Sequence, residues 1–216
     1  MCGGRGTRLG GDTEKPLTLI RGRSMVDRVI DATTDASRVE TVYAAVSPHA
    51  NETRAHLAET RPSLSIVDAP GDGYVSDLQY AVEAVGADGS AILTIAADLP
   101  LLDGDAVDMV VKVVHAVDAD SLTVYVPAER KRELGVSADA ATEIDGCELV
   151  PAGINVVGGD DGTDADGGSG GDGGSEGDTD SAVHCTDDRR LAVNVNYPSD
   201  ALIAERLVAT DAHSDS

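Results

Sequence analysis

Three short apolar runs do most to limit the fold open to this chain. Glu40–Ser47 reads E-T-V-Y-A-A-V-S, Ser90–Ala96 reads S-A-I-L-T-I-A, and Leu149–Val157 reads L-V-P-A-G-I-N-V-V. None of them alternates polar with apolar residues. A strand that is apolar along its whole length is buried on both faces, which is the condition of a parallel sheet covered by helices on each side. Between these runs the spacing turns helical. Tyr74–Val85 sets Val75, Leu78, Val82 and Val85 on one stripe. Ser24, with Asp27 three positions on, opens a helix through Ile30. Further helices are predicted over Pro48–Thr60, Asp105–Ala119 and Pro198–Ala209, and further strands over Ser63–Val67, Ser121–Val126 and Leu191–Val195. The order predicts an α/β sandwich with a mostly parallel central sheet. With five Tyr and no Phe or Trp, its core must be built of Val, Leu, Ile and Ala.

The front of the chain carries the chemistry. Cys2–Leu17 reads C-G-G-R-G-T-R-L-G-G-D-T-E-K-P-L. Glycines at Gly3, Gly4 and Gly6 let the backbone approach a ligand and turn successive N–H groups onto an anion. Thr7 adds a hydroxyl, and Arg5, Arg8 and Lys15 add charge. This is the composition of a phosphate cradle. No Gly-Lys-Ser/Thr comes after it, so it is not the P-loop, and Leu9 stands where a dinucleotide fingerprint needs its third glycine. In doubly wound folds such a loop comes after an apolar strand, yet only Met1 precedes Cys2. The first strand is therefore expected to be truncated, either because the true start lies upstream of Met1 or because the sheet carries a gap beside the site.

Charge supports an anionic ligand. The net charge is −23, with Lys only at Lys15, Lys112 and Lys131. That excess argues against nucleic-acid and anionic-membrane partners, and an acid-rich, lysine-poor surface suits concentrated salt. Residues 1–30 nonetheless hold six Lys/Arg against three Asp/Glu, net +3, which leaves −26 for the remainder. Basic residues are kept where phosphates would bind. The length, 216 residues, suits one domain over 1–210. It is interrupted at 158–180 by ten glycines and eight acids without a Lys or Arg, a composition expected to be disordered. Residues 211–216 read as a frayed tail. No apolar run is long enough to span a membrane, so a cytoplasmic protein is expected. Cys2, Cys147 and Cys185 fit neither a disulfide framework nor a zinc pattern.

Three further places fall where ligands bind in open α/β sheets, beyond the carboxyl ends of strands. Asp98, in A-A-D-L-P after the run ending at Ala96, is placed to hold Mg²⁺ or to cap a turn. Asn194 and Asn196 lie at the end of the last predicted strand and are site residues or turn formers. Ser47, before Pro48, is placed to reach a base or ribose, or simply to start a helix. Gly73 lies in a glycine-punctuated loop entering a helix, and Gly153, inside the run Leu149–Val157, is a site residue or marks a bulge or tight backbone approach.

G-G-R-G-T-R-L with E-K-P-L resembles the signature loop of nucleotidyltransferases that join NTPs to phosphorylated acceptors. This family includes sugar-1-phosphate nucleotidylyltransferases, molybdenum-cofactor guanylyltransferases and archaeal GTP:adenosylcobinamide-phosphate guanylyltransferases. The resemblance implies a Rossmann-like nucleotidyltransferase sandwich, a triphosphate wrapped by Gly3, Gly4, Gly6, Thr7, Arg8 and Lys15, and a metal on Asp98 of Asp-x-Pro. Asn194-x-Asn196-Tyr197-Pro198-Ser199-Asp200 is similar to the family's Asn-x-Asn-Thr-Pro-x-Asp, where an asparagine lies near the metal and the α-phosphate, but Tyr197 replaces the usual Thr. Gly73-Tyr-x-x-Asp-Leu78 and Pro151-Ala-Gly-Ile-Asn155 resemble the cobinamide enzymes in particular, and a Gly-Thr-Ala motif of the sugar enzymes is missing. The resemblance thus implies guanylyl transfer from GTP to adenosylcobinamide phosphate with Mg²⁺, with Arg8, Lys15 and Asp98 catalytic and a homodimer possible. Molybdopterin or sugar phosphates as acceptors, and a non-catalytic nucleotide sensor, are the alternatives.

Overall fold

A computed structural model describes residues 1–2, 9–10, 13–86, 90–117, 119, 121–158 and 181–214. Leu19–Ile20 (β1) and Arg23–Ser24 (β2) form a small hairpin turned by Arg21 and Gly22, both at positive φ. Met25–Asp35 (α1) comes next, with the Ser24 hydroxyl accepting Asp27 N–H at 3.2 Å, as the Ser-x-x-Asp spacing predicts. It leads to Tyr43–Val46 (β3), Asn51–Thr60 (α2), Ser65–Asp68 (β4), Tyr74–Val85 (α3), Ile92–Ile95 (β5) and Gly104–Ala116 (α4). The second half holds Ser121–Pro127 (β6), Ala128–Leu134 (α5), Thr142–Ile144 (β7), Cys147–Val157 (β8), Ser181–Cys185 (β9), Arg189–Ala192 (α6) and Pro198–Ser214 (α7).

β3 and β4 pair in parallel, and β5-β8-β6-β9 form a second ladder with β7 alongside β8. β8 is antiparallel to β5, β6 and β7, while β6 and β9 are parallel. Two residues join the ladders. Met1 N donates to Ile95 O at 2.8 Å and Met1 O accepts from Ala97 N at 3.2 Å. On the other side Cys2 N donates to Ala45 O at 2.8 Å, and Cys2 bridges Val46 in parallel. Traced across these links, the strands β3, β4, β5, β6 and β9 run one way and β8 runs against them. The mostly parallel α/β sandwich expected from the continuous apolar runs is the architecture observed.

Among the described residues before β1, only Met1 and Cys2 bridge the two ladders. Away from Met1 and Cys2, β3 and β5 part around a groove of about 680 Å³, lined by Tyr43, Ala45, Leu93 and Ile95, by Ile30 of α1 and by Leu78 of α3. The main core lies between α1, α4 and the sheet, with Leu99, Val107, Val124 and Ala192 wholly buried. Its residues are aliphatic, as composition required.

One expectation fails. Leu191–Val195 is not a strand: Leu191 and Ala192 close helix α6, and Val193–Val195 run extended without a ladder. Asp188 caps α6 by accepting Arg190 N–H at 2.9 Å, and Val195 N–H donates to Asp98 O at 3.0 Å. The segment's polar groups are satisfied by a cap and by the turn after β5, so it needs no strand partner. Helix α7 also runs beyond Ala209, to Ser214. The insert from residue 159 to residue 180 lies outside the described residues.

Candidate active site

The turn after β5 is pinned by its backbone. Ala96 N donates to Gly153 O at 2.8 Å and Ala97 N to Met1 O, while Leu99 is fully buried beneath. Asp98 therefore leaves the sheet at its carboxyl end with little freedom, its side chain 17% exposed.

Lys15 reaches it from the opposite direction. Lys15–Leu17 form one 3₁₀ turn with Pro16 buried. The preceding residue fixes that turn in place. Glu14 accepts Glu52 N–H at 3.0 Å, Thr53 N–H at 2.7 Å and the Thr53 hydroxyl at 2.7 Å. Helix α2 begins after Ala50, which has no capping side chain, so Glu14 supplies the cap from 38 residues away. Burial pushes the Glu14 carboxyl up, but these hydrogen bonds outweigh it and hold the group below its ordinary range. Held this way, Lys15 Nζ lies 2.6 Å from Asp98 Oδ2 and 2.8 Å from Asn196 Oδ1. Three sequence-predicted residues thus converge, although Asp98 and Asn196 lie 83 and 181 positions from Lys15 along the chain.

The asparagine turn is set by Asp200. Buried to 1% exposure, it accepts Asn196 N–H, Tyr197 N–H and Ser137 N–H, each at 2.9 Å, and the Ser137 hydroxyl. This carboxylate, reaching back from the first turn of α7, ties down the backbone on both sides of the position where the usual Thr is replaced by Tyr197. Val193 and Val195 are fully buried, and in extended backbone alternate residues share a face. Asn194 and Asn196 alternate with them and are half-buried. Asn194 Oδ1 accepts from Lys131 Nζ at 2.6 Å, and Lys131 also donates to Ala192 O at 2.7 Å. Lys131 was not among the sequence-predicted residues. Its one legible signal is scarcity: it is one of three lysines in the chain.

Gly73 opens α3 at φ 114°, and Gly71 N–H donates to the buried Asp77 at 2.7 Å, which ties this loop down. Burial pushes the neighbouring Tyr74 phenol up and the Asp98 charge adds to it, so the loop borders the same cluster. Gly153 has φ 79°, and a Cβ there would sit 2.9 Å from the Ala96 Cβ. It lies where the β6–β8 register shifts, so close backbone approach and a bulge already account for a glycine. Ser47 is buried, with its hydroxyl 3.4 Å from His49 N–H and its carbonyl accepting Ala50 N–H, which is a helix-start arrangement. Gly3, Gly4, Gly6, Thr7 and Arg8 lie outside the described residues.

Among the described residues no three His, Cys, Asp or Glu side chains group as a metal cage. The donor set fits Mg²⁺ all the same. That ion keeps its waters, takes one or two carboxylates, and completes its shell with substrate phosphates. Asp98, with Oδ2 on Lys15, is the carboxylate that could hold such an ion. A cation, a carboxylate and two carboxamides at the carboxyl end of β5 form an arrangement able to bind and balance the charge of a phosphorylated ligand.

Known proteins bear on this arrangement. The chain resembles solved structures of transferases. A hypothetical transferase from Thermus thermophilus is 21% identical over 68% of this chain and 58% of its own, with a TM-score of 0.51. This chain thus spans a little over half of that protein's length. The 4-diphosphocytidyl-2C-methyl-D-erythritol synthase of Anaerococcus prevotii aligns over 90% of this chain and 93% of its own, at 8% identity and a TM-score of 0.61. Both likenesses bear on fold alone. No curated protein matches the chain. Residues 1–155 match the MobA-like NTP transferase domain, well over half of the sequence. The chain belongs to the MobA-like NTP transferase family.

Proposed function

We propose that this nucleotidyltransferase moves GMP from GTP to adenosylcobinamide phosphate, giving adenosyl-GDP-cobinamide and pyrophosphate. The observation that carries the reading is the meeting of Lys15 with Asp98 and Asn196 at 2.6 and 2.8 Å, beyond the end of β5. The acceptor assignment rests on the Gly73–Leu78 and Pro151–Asn155 segments, which resemble the cobinamide enzymes.

A non-bridging oxygen of the acceptor phosphate forms the new bond to the α-phosphorus of GTP. The bond from that phosphorus to the α,β-bridging oxygen breaks, and pyrophosphate leaves with the electron pair. The attacking oxygen is already an anion, so no side chain has to remove a proton, and the work left to the protein is positioning and charge stabilisation. Asp98 would hold Mg²⁺, which when bound would supply positive charge to the phosphates. Lys15, keeping its contact with Asn196, directs its remaining N–H to the leaving pyrophosphate. Asn196 gives its oxygen to Lys15 and so offers its N–H₂ group to the phosphates. Arg8 and the loop glycines add donors around the triphosphate, Gly73 and Gly153 border the acceptor and nucleotide, and Ser47 lies on the base or ribose side.

The test is pyrophosphate release with each of the four NTPs, Mg²⁺ and a panel of acceptors. Release is expected with GTP and adenosylcobinamide phosphate. Release only with molybdopterin or a sugar phosphate would reassign the acceptor, and GTP binding without release from any acceptor would refute catalysis. Lys15→Ala should lower kcat about 10²–10³-fold while acceptor affinity stays within about twofold. Full Mg²⁺-dependent activity in Asp98→Ala would overturn the metal assignment.

A further inference from the structure

Lys131 sits on α5 at 2% exposure, although lysine is rarely buried without a charge partner. Among the described residues it makes no ion pair. Its ammonium donates to two neutral oxygens, Ala192 O and Asn194 Oδ1. Burial lowers its pKa to about 8, and the more distant charges of Asp200 and Asp98 only partly oppose that. For stability alone, an apolar side chain of this volume would serve as well. A buried cation bonded to a site carboxamide has a different use.

We propose that Lys131 is a positioning residue of the nucleotide site, fixing the Asn194 carboxamide so that its N–H₂ group faces the bound phosphates. An ammonium has donors and no acceptor, so only the amide oxygen can face it. The Asn194 Nδ2 group must then point away from α5. Without that constraint the amide is free to turn over and present an acceptor, which repels a phosphate. Lys15 imposes the same orientation on Asn196 from the other side, at 2.8 Å. The two asparagine oxygens of this turn are thereby each engaged by a separate lysine. In a chain with 39 acidic residues and three lysines, two of the three are committed to this turn.

The inference rests on the reading that the asparagine turn faces the triphosphate, but not on the acceptor, because its readout is nucleotide binding. Equilibrium binding of GTP with Mg²⁺ is measured for the wild-type chain, Lys131→Met, Asn194→Ala and the double variant. Each single variant is expected to bind about tenfold more weakly, and the double variant no more weakly than the worse single one, because Lys131 acts through Asn194. Asn194→Asp guards against a Lys131 variant that fails to fold. It keeps an acceptor for Lys131 but has no N–H to offer, so it should melt no lower than wild type while losing GTP affinity by about tenfold or more. Additive losses in the double variant, or wild-type affinity in Asn194→Asp, overturn the proposal. A wild-type chain that binds GTP yet releases no pyrophosphate with any acceptor leaves it standing and removes only the transferase assignment.

Discussion

Lys131→Met should alter the pH dependence of stability in the direction opposite to that of an ordinary ion pair. Burial holds the folded-state pKa of Lys131 near 8, against 10.5 for the free side chain. Below pH 8 both folded and unfolded chains carry the proton, and the contribution is flat. Between pH 8 and 10.5 the unfolded chain binds more protons than the folded one, so stability rises with pH. Integrated from pH 7 to pH 9, the gain from this group is on the order of 1 kcal/mol for the wild-type chain and none for the Met variant. Urea denaturation of both proteins at pH 7, 8 and 9, in molar KCl, reads this as a difference of differences. Titration of the tyrosines, the cysteines and the terminal amine is common to both and cancels. A wild-type-minus-variant difference that is unchanged between pH 7 and pH 9 would refute the claim that desolvation dominates this group. That flat result is the one expected if Asp200 and Asp98 held the ammonium charged, because a folded pKa at or above 10.5 makes stability fall only once pH passes 10.5.

Two further outcomes concern the groups that place Lys15 and Asp98. Glu14→Ala removes three hydrogen bonds from the start of α2 and should cost about 1–3 kcal/mol of stability by urea denaturation. Because the Glu14 carboxyl is held below its ordinary range, its stabilisation is present above that range and disappears as pH falls through the lowered value, so wild type and variant should converge in acid. Gly153→Ala puts a Cβ 2.9 Å from the Ala96 Cβ at φ 79° and should cost about 1–3 kcal/mol. Gly73→Ala meets nothing within 4 Å, but φ 114° with ψ 164° is open essentially to glycine alone, so backbone strain should cost about 1–3 kcal/mol, read as a lowered melting temperature.

How much of this is written in the sequence depends on how local each determinant is. β3, β5 and β8 are legible because each is a short apolar run that needs no partner to be read, although burial along β8 in fact alternates. Asp98 is legible by rule, as a carboxylate one turn beyond a buried strand, and Lys15 as a cation among glycines in an acidic chain. Glu14 is not, since its role is to cap a helix that begins at Asn51. Lys131 is less so. Within A-E-R-K-R-E-L it reads as one of a solvated charge run, and only the chain near Ala192 and Asn194, some 61 to 63 residues on, covers it. Leu191–Val195 misleads for the same reason. Its apolar residues look like a strand, but Asp188 and the carbonyl of Asp98 dispose of its backbone groups before any strand can.

The cations of this chain divide by what they touch, and that division bears on function in salt. Arg54 pairs with Asp68, Arg61 with Asp27 and Asp31, Arg132 with Glu148, and Arg190 with Asp188 and Asp103. Most of these pairs are partly or largely open to solvent, and concentrated salt screens such contacts. Lys15 and Lys131 are placed differently, with Lys15 half-enclosed between Asp98 and Asn196, and Lys131 buried against neutral oxygens. Screening reaches buried charge much less. A chain of net charge −23 would by its long-range field repel a triphosphate, and salt relieves that repulsion while weakening any exposed arginine offered in compensation. Two lysines that act at contact distance, one on a carboxylate and both on carboxamide oxygens, keep the donors of the asparagine turn in place at any ionic strength. If the asparagine turn faces the nucleotide as proposed, added salt should lower the barrier to its approach while Lys15 and Lys131 keep their contacts.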